Sequence, residues 1–191
     1  MPRGALVIIS GPSGAGKGTL VDRLVARVPH LWVSVSATTR QARPGEVDGE
    51  DYVFLAPAEF DRCVQAGEFL EWAEVHGNRY GTLRSSVEDM LEEGRDVILE
   101  IDPQGAFQVK AVMPEAVLVF IIAPSLDELE RRIRKRGAET DEQVKTRLAT
   151  AVGELELVGT YDHVVENDDV ARATDELAGI IRSLHSNEGL L

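Results

Sequence analysis

One cysteine, Cys63, in 191 residues rules out an intramolecular disulfide framework and suits a reducing, cytoplasmic compartment. Long apolar runs are missing as well. The longest, Ala116 to Ala123, is bracketed by Pro114-Glu115 and Pro124, and so short a segment cannot cross a bilayer. Met1-Pro2-Arg3-Gly4 leads into an apolar run that ends at a glycine loop, too short for a signal-peptide core and followed by no cleavage pattern. The four histidines, His30, His76, His163 and His185, are scattered without metal-ligand spacing. There is no internal repeat, low-complexity tract or Ser/Gly linker. Cations are scarce: 20 Lys and Arg against 33 Asp and Glu leave a net charge of −13. So acidic a chain has no general affinity for nucleic acid or anionic membrane. To hold a polyanion it must concentrate its cations locally, and five of the 20 fall within Arg131 to Arg136.

Short β-branched runs alternate with longer helical patterns, which predicts βαβ units and an α/β fold with a parallel sheet flanked by helices. Leu6–Ser10, Trp32–Ala37, Asp96–Ile101, Val117–Ile122 and His163–Glu166 read as strands. Lys17–Val28, with Leu20, Leu24 and Val28 at fourfold spacing, reads as a helix, as do Leu126–Arg136, Glu142–Leu157 and Val170–Leu184. From Arg40 to Gly81 the texture changes. Pro44-Gly45, Asp48-Gly49 and Gly77-Asn78 turns separate short alternating strands such as Tyr52–Leu55, and one helix near Pro57–Ala66 interrupts them. This predicts a small mixed α+β insertion in the parallel sheet.

Between the first strand and first helix lies Gly11-Pro12-Ser13-Gly14-Ala15-Gly16-Lys17-Gly18-Thr19, which meets the GxxxxGK part of the P-loop pattern. A glycine-rich turn with a solvated lysine would share the composition, but its position after an apolar strand and before a helix favours phosphate binding. Glycines let backbone N–H groups turn inward, the helix N-terminus presents positive dipole, and Lys17 adds a point charge. Gly18 stands where a Ser or Thr hydroxyl usually helps to hold Mg²⁺, and Thr19 follows it.

A P-loop does not name a reaction. The discriminating segments are Ser34-Val-Ser36-Ala-Thr-Thr-Arg40-Gln-Ala-Arg43-Pro-Gly-Glu46, Gly49-Glu-Asp-Tyr52-Val-Phe54, Gly67-Glu-Phe-Leu-Glu71-Trp-Ala73, Gly77-Asn-Arg-Tyr80-Gly-Thr82 and Leu99-Glu-Ile-Asp102-Pro-Gln-Gly105. With the P-loop, they closely resemble the guanylate kinase family from about Gly4 to Leu184. The resemblance implies a single P-loop NTPase-type domain over 1–191: a core at 4–39 and 82–184, a GMP-binding insertion at about 40–81 and a helical lid at about 132–147. It also implies ATP as donor, GMP or dGMP as acceptor, and Mg²⁺ bridging the donor phosphates.

Residue chemistry is consistent with these roles. Arg40 and Arg43, three apart in a turn, can converge on one phosphate, and Tyr52 and Tyr80 can add phenolic hydrogen bonds. Considered alone, two loop arginines are usually solvated; the resemblance gives all four to the GMP phosphate. Glu71 offers two acceptors to the N1–H and 2-amino donors of guanine, although alone it would read as a surface glutamate at a strand end. Ser36, Gly81 and Thr82 complete the acceptor site by resemblance. Glu100 and Asp102 close a buried strand beside the P-loop, where they can approach guanine, Lys17 or the Mg²⁺ hydration shell, or serve a structural role. The basic run reads as a solvated face, a nucleic-acid patch or, by resemblance, a lid whose Arg132, Arg136 and Arg147 close over the triphosphate with Lys17. Asn167-Asp168 resembles the family's loop near adenine. Cys63 reads as packing. Two rival readings remain: a noncatalytic guanylate-kinase-like interaction module, and a P-loop kinase of a small phosphorylated sugar.

Overall fold

The computed structural model describes residues 2–75, 77–135 and 140–186. Five parallel strands form the core sheet: β1 (Leu6–Ser10), β2 (Leu31–Val33), β7 (Asp96–Glu100), β8 (Val117–Ile122) and β9 (His163–Glu166), in the order β2-β7-β1-β8-β9. The central strand is buried throughout because both its faces are covered. Val7 and Ile9 point to a layer built by α1 (Lys17–Val25) and α7 (Val170–Ser186), packing with Leu20, Leu24, Ala173, Leu177 and Ile181. Leu6 and Ile8 point the other way, toward α3 (Arg84–Glu92) and α4 (Pro103–Val112), with Leu91, Val109 and Phe120. Alternation along one strand thus generates a three-layer αβα core.

The second sheet is mixed, in the order β4-β3-β6-β5. It consists of β3 (Ala37–Thr38), β4 (Val53–Phe54), β5 (Phe69–Val75) and β6 (Asn78–Leu83), backed by α2 (Pro57–Gln65). Phe60 of α2 stacks on Phe69 at 4.4 Å between ring centroids, and buried Cys63 packs in the same cluster. The Trp32–Ala37 run is therefore not one strand. β2 follows β7 as far as the bond from Ser34 N–H to the Ile98 carbonyl, 2.9 Å. Then β7 ends at Glu100 and the chain crosses to the second sheet, where Ala37 pairs with Val53 and Gly81. Ser34-Val35-Ser36 is the strut between the sheets. Helices α3 and α4 were absent from the sequence reading. α3 has no side-chain cap, whereas α4 carried a legible start: Asp102 accepts from Gly105 N–H and Pro103 opens the helix. The remaining helices, α5 (Leu126–Lys135) and α6 (Asp141–Leu155), pack against each other through Leu129, Ile133, Val144 and Ala151.

Candidate active site

The phosphate loop runs from the end of β1 into α1. Gly11 has φ 140°, and a Cβ there would lie 2.2 Å from the Ile121 carbonyl oxygen, so only glycine lets the loop pass this close to β8. Gly16, at φ 92°, caps α1 without any side-chain bond, leaving the first-turn amides and the helix dipole facing the loop. Lys17 Nζ donates to the carbonyls of Gly11 (2.5 Å) and Pro12 (3.2 Å), so the ammonium is held inside the loop. Lys17, Gly18, Glu100, Asp102 and Glu154 line a cleft of about 340 Å³. Glu100 ends a buried strand and Asp102 follows it, but both side chains lie exposed at the cleft. They also differ: Asp102 Oδ1 caps α4 through Gly105 N–H at 2.8 Å, whereas Glu100 faces Gly18, 3.7 Å from where a Cβ would be. Glu154 went unnoticed in the sequence. It stands seven residues after Arg147 on α6, a spacing that places both on one helix face. Burial raises its pKa, opposed by Lys17 and reinforced by Asp102.

The other wall is made by α5 and the β9–α7 turn. Arg132 donates to Glu128 (2.7 Å), to the Asn167 carbonyl (2.9 Å) and, weakly, to the Ala15 carbonyl (3.4 Å). With Arg131, it holds the Glu128 carboxyl down at about 2. Asn167 is 2% exposed and donates its side-chain N–H to Ala15 O at 2.8 Å. That bond is to the phosphate loop, a role the adenine expectation did not contain. Thr19 is exposed on a second cleft, of about 570 Å³, with Arg132 and Asn167, and not on the cleft of Glu100 and Asp102. From α6, Arg147 donates to Ser13 Oγ at 2.8 Å. Arg136 lies outside the described residues.

The second sheet and its loop gather the remaining candidates. Arg40 donates two hydrogen bonds to Glu46, 2.8 and 2.9 Å, and sits 5.1 Å above the Tyr52 ring. Hydrogen bonding to Arg40, then to the Arg43 N–H, brings the Glu46 carboxyl down to about 2. Tyr80 meets Tyr52 edge-on at 6.1 Å, so Arg40, Tyr52 and Tyr80 form one cluster, with exposed Arg43 on the adjoining turn. Glu46 is the partner the sequence reading missed. Glu71 is no surface residue. It is 7% exposed within β5, directly opposite Thr82 of β6, whose hydroxyl donates to Oε1 at 2.6 Å. Desolvation raises the Glu71 pKa, opposed by the Thr82 bond and reinforced by the Asp102 charge. Gly81 is buried and pairs with Ala37, and half-buried Ser36 lies on the strut before β3. No group of three or more His, Cys, Asp or Glu side chains among the described residues is arranged to hold a metal ion by itself.

A parallel sheet whose first strand delivers a lysine-bearing phosphate loop, flanked by arginines from two helices, defines a P-loop phosphotransferase. A family model described as guanylate kinase matches residues 3–184. The guanylate kinase of Desulfitobacterium hafniense is 51% identical over 178 residues, covering 93% of this chain and 89% of that protein. That of Rubrobacter xylanophilus is 51% identical over 184 residues, covering 96% of each. The crystal structure of guanylate kinase from Anaplasma phagocytophilum superposes with a TM-score of 0.75 at 37% identity, over 95% of this chain and 86% of that one. Shikimate kinase from Bacteroides thetaiotaomicron, at TM-score 0.52 and 14% identity, over 93% of this chain and 98% of that one, shares the fold. The chain belongs to the guanylate kinase family.

Proposed function

We propose that the chain transfers the γ-phosphoryl group of ATP to GMP or dGMP, giving ADP and the corresponding diphosphate in purine nucleotide metabolism. The observation that carries this is the buried Glu71–Thr82 pair. Such a carboxylate matches the fixed, coplanar pair of edge donors on guanine, which the freely rotating hydroxyls of a phosphorylated sugar do not present. Arg40, Arg43, Tyr52 and Tyr80 hold the acceptor phosphate, with Ser36, Gly81 and Asp102 around the base and sugar. Lys17 and the loop amides hold the donor phosphates. Arg132 and Arg147 neutralise charge that spreads over the moving group, in a site that excludes water, and Arg136 joins them by resemblance. An oxygen of the acceptor phosphate forms the new bond to the γ-phosphorus, the bond to the ADP oxygen breaks, and the electron pair leaves with ADP. The donor phosphates bring Mg²⁺, for which the exposed Glu100 and Asp102 carboxylates beside hydroxyl-free Gly18 are suited to accept from its bound waters. The ion supplies neutralisation of the β- and γ-oxygens. An intact Lys17 and arginine set argue for catalysis over a noncatalytic interaction module. Among the described residues no helix is long and apolar enough to cross a membrane, and a cytoplasmic location follows from the nucleotide substrates.

The test is the ratio of catalytic efficiencies for GMP and AMP. Charge-assisted hydrogen bonds are worth roughly 1.5–3 kcal/mol each, and adenine turns an acceptor toward Glu71 while lacking the 2-amino donor. Rejection on the order of 10⁴-fold is expected in the unmodified chain, and Glu71→Ala should lose most of it while still binding ATP. An unchanged ratio would move base selection to Ser36 and Thr82.

A further inference from the structure

The back of Glu71 is as specific as its front. Helix α4 lies against β5 and presents Asp102, Gly105 and Gln108 at intervals of three, on one face. A Cβ at Gly105 would stand 2.9 Å from Glu71 Oε2 and 3.3 Å from its Cδ. The carboxylate therefore occupies space that any other residue at 105 would fill. The Gly105 N–H is committed to Asp102 Oδ1 at 2.8 Å and so does not draw Glu71 toward the helix. One turn on, the Gln108 amide brackets the residue after Glu71. Its Oε1 accepts from Trp72 N–H at 3.2 Å and its Nε2 donates to Trp72 O at 3.3 Å, as a neighbouring strand would. The clamp lies beside the register shift between Phe69 and Glu71, where the ladder alone leaves strand position least determined. We propose that Gly105 and Gln108 are positioning residues that set base preference by fixing the Glu71 carboxylate from behind. This rests on the reading of Glu71 as the guanine acceptor.

The experiment measures kcat/KM for GMP and AMP, KM for ATP and melting temperature in Gly105→Ala, Gln108→Ala, Glu71→Ala and the Glu71→Ala/Gly105→Ala double variant. Alanine favours helix more than glycine, which offsets the shift the methyl forces on Glu71 and on Ile101 Cδ1 at 3.3 Å, so Gly105→Ala should melt near the unmodified temperature. Its GMP/AMP ratio should nevertheless drop by roughly tenfold or more, the value of one charge-assisted hydrogen bond, with KM for ATP unchanged. Gln108→Ala should lower the ratio less, through KM for GMP. In the Glu71→Ala background the added methyl meets no carboxylate and should change nothing further. A wild-type ratio in Gly105→Ala, with Glu71→Ala having lost its preference, overturns the positioning role alone. Equal losses from Gly105→Ala in both backgrounds overturn it as well, because the effect then bypasses Glu71. If Glu71→Ala itself keeps the preference, the base assignment fails and the positioning role falls with it. Should Gly105→Ala not fold, an unchanged ratio in Gln108→Ala overturns the proposal instead.

Discussion

Glu71 keeps a carboxylate out of water before any base is there to use it, and that has a measurable signature. Its folded-state pKa lies above the ordinary 4.5 because of desolvation. A raised acid favours folding while protonated, so its contribution is fully present below about 4.5 and is lost as pH rises through the folded value. Glu71→Gln stays neutral at every pH. The melting temperature of Glu71→Gln minus that of the unmodified chain, both ligand-free, should therefore grow as pH rises from 4.5 toward 7; a flat difference would mean that the burial carries no ionisation cost. At the phosphate loop, Lys17 donates to two loop carbonyls and packs in no core cluster, so Lys17→Ala should leave the fold intact. Turnover should fall by far more than about tenfold, or ~1.4 kcal/mol of transition-state free energy, in a coupled ADP-release assay. Retention within that margin would refute the loop's assignment. The phosphate loop was the most legible part of the sequence, because its residues are contiguous, whereas neither the Glu46 partner of Arg40 nor the burial of Glu71 opposite Thr82 is marked by any local pattern. Asn167 and Glu154 were harder. Their partners Ala15 and Lys17 are more than a hundred positions away, and nothing local in either residue names them.

At the level of elements, strands β1 and β8 lie where their apolar runs end, since a strand buried on both faces needs an unbroken run. The strut at 34–36 was invisible because Ser-Val-Ser alternation continues a strand pattern, and only the end of β7 stops the ladder. α3 lacks a capping side chain and was missed for that reason. α6 is the opposite case. Thr140 and Gln143 make a reciprocal capping box at its start, Thr140 accepting from Gln143 N–H at 3.3 Å and Gln143 accepting from Thr140 N–H at 2.8 Å. The helix delivers Arg147 to Ser13, so its first turn bears on an arginine proposed to act on the moving phosphoryl group. Thr140→Ala should lower stability by roughly 0.5–2 kcal/mol, read by denaturant titration. It should lower turnover more than GMP affinity, and equal losses in both would detach the helix end from catalysis.

For the molecule as a whole, a net charge of −13 makes most of the surface repel anions, against which the cations gathered at the phosphate loop stand out. The central position of β1 has a consequence for how the chain comes into being. Synthesis delivers Leu-Val-Ile-Ile first, yet its neighbours in the sheet are Val97–Glu100 and Val117–Phe120. A fragment ending at Val112 lacks β8 and β9 and leaves one edge of β1 bare, and it should be digested at protease levels that spare the full chain; a protected β1 in that fragment would show that the first half folds alone. At about 5–20 residues per second, this buried central strand emerges from the ribosome on the order of ten seconds before its last partner. The strand that later aims the phosphate loop is thus, during translation, the segment most in need of shielding.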